Sequence, residues 1–294
     1  MRVQFYHAIA MFALIAPGCS RPVPDTRVPT ANRAPSSTAP NTAPTPATPT
    51  SDAIERGKDI IERVRTAAGG PTLTAMRSFI ATGTSTMSVV STARALKVRA
   101  LFPGFYRQEE IPSGKGGFAV AIGVEEEGLG WMLGARLGGD AKANDPKAVQ
   151  AAYNRAGSQA MAGFLAGVNA PWLVDSGQFT PIAAGSVSQG DDRNLFIVNL
   201  EGPMGRAGRL LIDPGTNLPR RFIEPPQPGP GGEAGRNELN FTYSDFRAVD
   251  GIQLPHTIVR SVGTIQTTWL IDKYSLNPKI RPVEFTRRMA ATIK

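Results

Sequence analysis

Hydrophobic and polar positions alternate with a period of two along several segments of the chain. The alternating segments cover residues 96–102, 118–124, 239–244 and 265–271. Such alternation is typical of antiparallel strands that bury one face against a core. Turn-forming pairs such as Pro103-Gly104 and Asp250-Gly251 separate the segments. The pattern therefore predicts a domain dominated by an antiparallel sheet.

Two other segments have the apolar spacing of helices. From Asp52 to Ala68 apolar residues recur at helical intervals, Glu55 completes a capping box with Asp52, and Gly69 ends the segment. A second helix is predicted from Pro146 to Leu165, with a stripe rich in small residues. Helix, strands, helix and further strands predict an α+β domain. We expect a strongly curved antiparallel sheet with these two main helices covering its concave side.

The N-terminus has the pattern of a signal peptide over residues 1–18. The apolar run from Phe5 to Ile15 has a length typical of a signal peptide but is shorter than the roughly 20 residues of a membrane-spanning helix. It leads into Ala16-Pro17-Gly18-Cys19, a lipobox-like sequence that contains the chain's single cysteine. We therefore predict that Cys19 carries a lipid. The alternative is an ordinary secretory signal with an incidental cysteine.

The residues after Cys19 bear on location and domain organisation. Ser20 stands where inner-membrane lipoproteins typically have Asp, which favours the outer membrane with the domain facing the periplasm. Residues 19–52 comprise the lipidated cysteine and a linker rich in Pro, Thr, Ala and Ser, which has too little apolar surface to order its backbone. Residues 53–294 remain for one folded domain.

Charge and candidate chemistry narrow the function. The net charge of +8 reflects either an Arg-rich coding preference or attraction to anionic lipid or sugar surfaces. Nucleic acid is not an expected partner, because no basic stripe is interleaved with aromatics. His256 is the one histidine after the signal peptide, lipidation consumes the thiol, and no serine lies in a G-x-S-x-G motif. We predict a non-catalytic protein with no cofactor and no metal site.

The second half of the chain carries motifs of a known family. Residues 210–221 (LLIDPGTNLPRR), residues 243–255, Asn277-Pro278 and Phe285 resemble passages of the LolA/LolB-like outer-membrane lipoprotein-sorting proteins. The resemblance implies an unclosed half-barrel with helices as a lid over an apolar cavity that takes acyl chains. It implies carriage of a ligand without catalysis.

Five residues are candidates for the lining of such a cavity: Phe79, Ala121, Trp131, Phe164 and Trp172. In the strand 118–124 one face is large and apolar while the other has small residues around Ala121. If the sheet bends as the resemblance implies, we expect this small face to line a pocket with Trp131 and Phe164 near its mouth, which a lipid or acyl chain would occupy. Otherwise the small face is in close contact with the small stripe of the helix from Pro146 to Leu165. The alternative is a structural or protein-interaction module of the cell envelope, in which side chains fill the half-barrel.

Overall fold

The computed structural model describes part of the chain. The described residues are 49–102, 104–112, 118–124, 130–136, 161, 163–168, 179–188, 190–202, 205–224 and 238–286. Residues Thr50–Lys294 form one compact unit. The predicted signal peptide, Cys19 and nearly all of the predicted linker lie outside the described residues. No helix among the described residues has the length and apolar character needed to cross a membrane.

The first predicted helix is present as α1 (Ser51–Ala68). Its N-cap is Thr50, whose hydroxyl accepts a hydrogen bond from the backbone N–H of Ala53, rather than the predicted Asp52. The helix ends at Gly69, where a φ of 134° favours glycine. A short helix, α2 (Pro71–Ala75), follows directly.

Within the described residues, twelve strands form one sheet in which neighbouring strands are antiparallel. The strands are β1 (Ser78–Met87), β2 (Val90–Leu101), β3 (Phe105–Pro112), β4 (Phe118–Val124), β5 (Gly130–Arg136), β6 (Thr180–Ser186), β7 (Phe196–Gly202), β8 (Gly205–Ile212), β9 (Pro219–Glu224), β10 (Leu239–Val249), β11 (Ile252–Val262) and β12 (Ile265–Leu276). Their order is β5-β4-β3-β2-β1-β12-β11-β10-β9-β8-β7-β6. Because β5 and β6 stand at opposite ends, the sheet is unclosed.

The sheet curves strongly enough for side chains of distant strands to meet. Trp269 lies on β12 and Glu110 on β3, with β1 and β2 between them. Three strand spacings amount to roughly 14 Å along the sheet. The indole N–H of Trp269 nevertheless donates to Glu110 at 3.3 Å. Both side chains therefore point to the concave side, and the predicted curvature is present.

Strand register defines the two faces of the sheet. Residues that pair directly across strands share a face. We call the concave side, which carries Phe79, Tyr106, Phe241 and Trp269, the inner face. Arg107 and Glu109 alternate with Tyr106 along β3 and lie on the outer face, together with Ala121, which pairs with Glu109. The 3-10 helix Pro282–Phe285 packs against the outer face.

Part of the second predicted helix is described. Residues 163–168 are helical, so this helix extends beyond the predicted end at Leu165, while residues 146–160 lie outside the described residues. We call residues 163–168 the inner helix, because it packs on the inner face. Helix α1 packs mainly on β6, with further contacts to β7 and β11.

Candidate ligand-binding site

An aromatic cluster lies on the inner face beneath the inner helix. The ring of Phe164 is stacked on Phe79, with centroids 5.8 Å apart. It also lies 6.1 Å from the Tyr106 ring and 5.9 Å from the Trp269 ring. All four side chains are buried, and Phe164 has no exposed surface. One residue of the inner helix thus occupies a socket made by three strands of the sheet.

Two glycines allow the inner helix to approach the sheet closely. A Cβ atom at Gly163 would overlap the Phe241 ring, and one at Gly167 would overlap the Tyr243 ring. The Tyr243 hydroxyl donates a hydrogen bond to the Gly163 carbonyl. Burial raises the pKa of Tyr243 well above its ordinary value, so the phenol remains a donor. The helix therefore lies in contact with the rings of β10.

A polar network adjoins the aromatic cluster on the same face. The carboxylate of Glu110 accepts hydrogen bonds from the Ser85 hydroxyl at 2.9 Å, the Gln108 amide at 2.7 Å and the Trp269 indole at 3.3 Å. Arg94 Nη1 lies 3.5 Å from Glu110 Oε2. We call these five residues the Glu110 network. The residue Glu110 itself is only 2% exposed.

Further charges extend this polar region across the concave side. Burial lowers the pKa of the Arg260 guanidinium on β11, whereas the nearby charges of Glu110 and Glu224 raise it. Because Glu110 lies on β3 and Glu224 on β9, Arg260 is within electrostatic reach of both arms of the curved sheet. Burial is also the main cause that raises the pKa of Tyr106, and the charge of Glu110 adds to it.

The structure brings together two of the five predicted lining residues. Phe79 and Phe164 are stacked on the inner face. Ala121 is fully buried on the outer face, where it pairs with Glu109. Trp131 shares the outer face, since a Cβ at the adjacent Gly123 would overlap its ring. Trp172 lies outside the described residues. The residues predicted around Ala121 therefore do not line one cavity with Phe79 and Phe164.

The small outer face of β4 is covered by a segment from the C-terminal region. The indole of Trp131 donates to the Phe285 carbonyl at 2.8 Å, and Arg107 donates to the Glu284 carbonyl at 2.7 Å. The rings of Phe105 and Phe285 lie 5.5 Å apart. The 3-10 helix therefore occupies the side on which the sequence predicted a pocket.

The Glu110 network was not among the sites predicted from the sequence. The polar run of β3 from Arg107 to Glu110 has no apolar alternation. A signal was nevertheless present, because arginines on β2 and consecutive carboxylates on β3 suit a pair of antiparallel strands with opposite charges. Register alone then separates Glu109, on the outer face, from Glu110, on the inner face.

An open groove of about 780 Å³ lies elsewhere, between α1 and the edge formed by β6 and β7. Its walls include Arg56, Asp59, Glu62, Arg63 and Phe196. The guanidinium of Arg63 lies 5.2 Å from the centre of the Phe196 ring. This groove carries mixed charge, which sets it apart from an acyl-chain cavity.

His256 is a buried residue of β11. Its Nδ1 lies 2.7 Å from the Ile271 carbonyl, and its ring makes an edge contact with Tyr274. Since a carbonyl only accepts, Nδ1 is the donor of this hydrogen bond. Among the described residues, no group of three or more His, Cys, Asp or Glu side chains is arranged to hold a metal ion.

No protein-family model matches the chain, and no curated protein matches it. Several solved structures do match the chain. A domain from Vibrio parahaemolyticus described as outer-membrane lipoprotein-sorting is 11% identical with a TM-score of 0.48, and the match covers 80% of this chain and 98% of that one. A DUF1329 family protein from Desulfovibrio piger is 12% identical with a TM-score of 0.49, covering 81% and 98%. A LolA superfamily protein from Nitrosomonas europaea is 11% identical with a TM-score of 0.44, covering 79% and 98%.

Proposed function

We propose that the chain is a membrane-anchored envelope lipoprotein that binds an acyl chain, a lipid or the lipid part of a lipoprotein on the inner face of its half-barrel, without catalysis. The observation that carries this proposal is the socket around Phe164. Aromatic side chains from β1, β3 and β12 surround one apolar side chain that belongs to a covering helix. An acyl chain would take the place of Phe164 when that helix moves away.

The contacts of the inner helix support such a movement. At Gly163 and Gly167 the contact with the aromatic rings is van der Waals packing without interlocking side chains, whereas Phe164 is inserted and has to leave its socket when the helix moves. The hydrogen bond from Tyr243 to Gly163 adds one polar link. The resemblance of residues 210–221 to the LolA/LolB-like proteins, whose half-barrels take acyl chains, agrees with this role. The anchor at Cys19 and an outer-membrane location belong to the same proposal.

Native mass spectrometry of the full chain extracted from its own membrane tests the proposal. We expect the folded protein to retain a non-covalent lipid in addition to a covalent acyl group on Cys19. A fluorescent fatty acid should compete with the retained lipid. A folded protein that carries no non-covalent lipid and binds no fatty acid would contradict the ligand-binding proposal.

The alternative function is a structural or protein-interaction module with a filled core. The complete burial of Phe164 favours it, because close-packed side chains leave no room for a ligand unless the helix moves. The same mass measurement separates the two functions. A filled module would release no lipid on denaturation and would be recovered with other envelope proteins after cross-linking.

A further inference from the structure

We propose that the ligand is an amphiphile with an anionic head, a carboxylate or a phosphate, and that Arg94 of the Glu110 network binds this head. This inference rests on the proposed function, because it assigns the polar end of the ligand whose acyl chain replaces Phe164.

Two aromatic residues place the socket and the polar network side by side. Trp269 contacts the Phe164 ring with its own ring and donates its N–H to Glu110. Tyr106 also contacts Phe164 with its ring, and its hydroxyl donates to Gln108 at 2.8 Å. A chain that replaced Phe164 would therefore have its polar end beside the Glu110 network.

The hydrogen bonds of the Glu110 network indicate which charge the head group of the ligand carries. The carboxylate of Glu110 already accepts from Ser85, Gln108 and Trp269. The buried Nη1 of Arg94 has no hydrogen-bond partner within the described residues. Because a guanidinium only donates, the group that completes it must be an acceptor. A carboxylate or a phosphate matches the planar fork of arginine and its charge.

A second pair on the same two strands shows what a closed ion pair looks like. On the outer face, Arg99 Nη1 donates to Glu109 Oε2 at 2.8 Å. The Arg94–Glu110 contact is longer, at 3.5 Å, although the Arg94 side chain is 12% exposed and the Arg99 side chain 15%. A buried pair gains stability only when good geometry offsets the loss of hydration. The open contact at Arg94 therefore indicates a ligand position rather than a structural bridge.

Bromine on an acyl chain quenches a tryptophan that it touches, and Trp269 lies at the proposed site. The test titrates the full chain in non-ionic detergent with 9,10-dibromostearate and with its methyl ester, at a pH where the free acid is ionised. The two probes share one chain and differ in the charge of the head. We expect the acid to bind about tenfold more tightly than the ester, as for the gain of a charge-assisted hydrogen bond.

Variants assign the preference to Arg94. Arg94→Gln should abolish the preference for the acid, whereas the matched control Arg99→Gln, on the same strand but the outer face, should retain it. Arg94→Lys, which keeps the charge but loses the fork, should retain part of it. If Arg94→Gln does not fold, Arg94→Lys and the wild-type comparison of acid with ester still decide the question.

Three results separate the possible failures. Equal binding of acid and ester by the wild type, or an unchanged preference in Arg94→Gln, would overturn the anionic head while leaving acyl-chain binding in place. Absence of quenching by either probe would contradict the proposed function itself. Brominated phosphatidic acid, compared with the matching diacylglycerol, shows whether the head is a phosphate: a phosphate preference lost in Arg94→Gln supports the same site.

Discussion

Replacing Gly163 with alanine should push the inner helix away from the sheet and strengthen the binding of an acyl chain. The new methyl group would overlap the ring of Phe241, which is fully buried. Carbon atoms in contact need about 3.5–4.0 Å between their centres. We therefore expect the helix to shift and the socket around Phe164 to loosen with it.

The magnitude follows from two opposing effects. Overpacking a close contact costs about 1–3 kcal/mol. Alanine is favoured over glycine in a helix by about 1 kcal/mol, so the net loss of folding stability should be about 0–2 kcal/mol. The gain in helix propensity persists when the helix moves away, but the clash disappears. The clash of 1–3 kcal/mol therefore favours the open arrangement, which corresponds to about 5–150-fold tighter apparent binding.

The assay combines thermal unfolding with quenching of tryptophan fluorescence by dibromostearate. Gly57→Ala is the matched control, because a Cβ at Gly57 of α1 would overlap the Pro181 carbonyl on β6. It creates a similar clash beneath a helix that does not cover Phe164. We expect tighter binding in Gly163→Ala and unchanged binding in Gly57→Ala. A Gly163→Ala protein that is destabilised but binds the probe no more tightly than the control would refute the idea that the inner helix gates the socket.

Three other changes test separate parts of the structure. Cys19→Ala should move the protein from the membrane fraction to a soluble or unprocessed form, and a wild type without label from radioactive palmitate would contradict the anchor. Ala121→Trp should lower stability by about 1–3 kcal/mol or more, because the site is fully buried on the outer face, and dibromostearate binding should not change. Tighter or weaker probe binding in this variant would return Ala121 to the ligand site. Burial raises the pKa of Tyr243 above its ordinary value of about 10. The contribution of the protonated phenol to the free energy of unfolding is therefore complete below about pH 10 and is lost as the pH rises through the raised pKa. Tyr243→Phe should cost about 1 kcal/mol at neutral pH, because it removes the hydrogen bond to Gly163, and an unchanged stability would count against that bond. It should also reduce the alkaline loss in urea unfolding, and parallel pH profiles for the two proteins would contradict the burial of the phenol.

Period-two alternation predicted the strands whose two faces differ in polarity. The segment 118–124 corresponds to β4 at the same bounds, and the segments that begin at residues 239 and 265 begin β10 and β12. The alternation did not reveal β3, although Phe105–Pro112 lies well inside the sheet. Its charged residues are buried on both faces, and its two carboxylates face Arg99 and Arg94 of β2. A pattern of hydrophobicity has no means of showing such pairing, because the partners become neighbours only through strand register.

The same limit of the hydrophobic pattern explains why the sequence predicted the pocket on the small face of β4. Alternation separated the two faces of β4 but could not tell which one the helix covers. The large face at Val124 pairs with Tyr106 and turns inward, whereas the small face turns toward a segment that arrives from the far end of the chain. Register also separates Glu109 from Glu110, and with them a closed ion pair from an open one. Buried charge that is not closed into a good pair costs stability. Its retention beside an apolar socket is therefore better explained by a ligand that completes it than by the needs of folding.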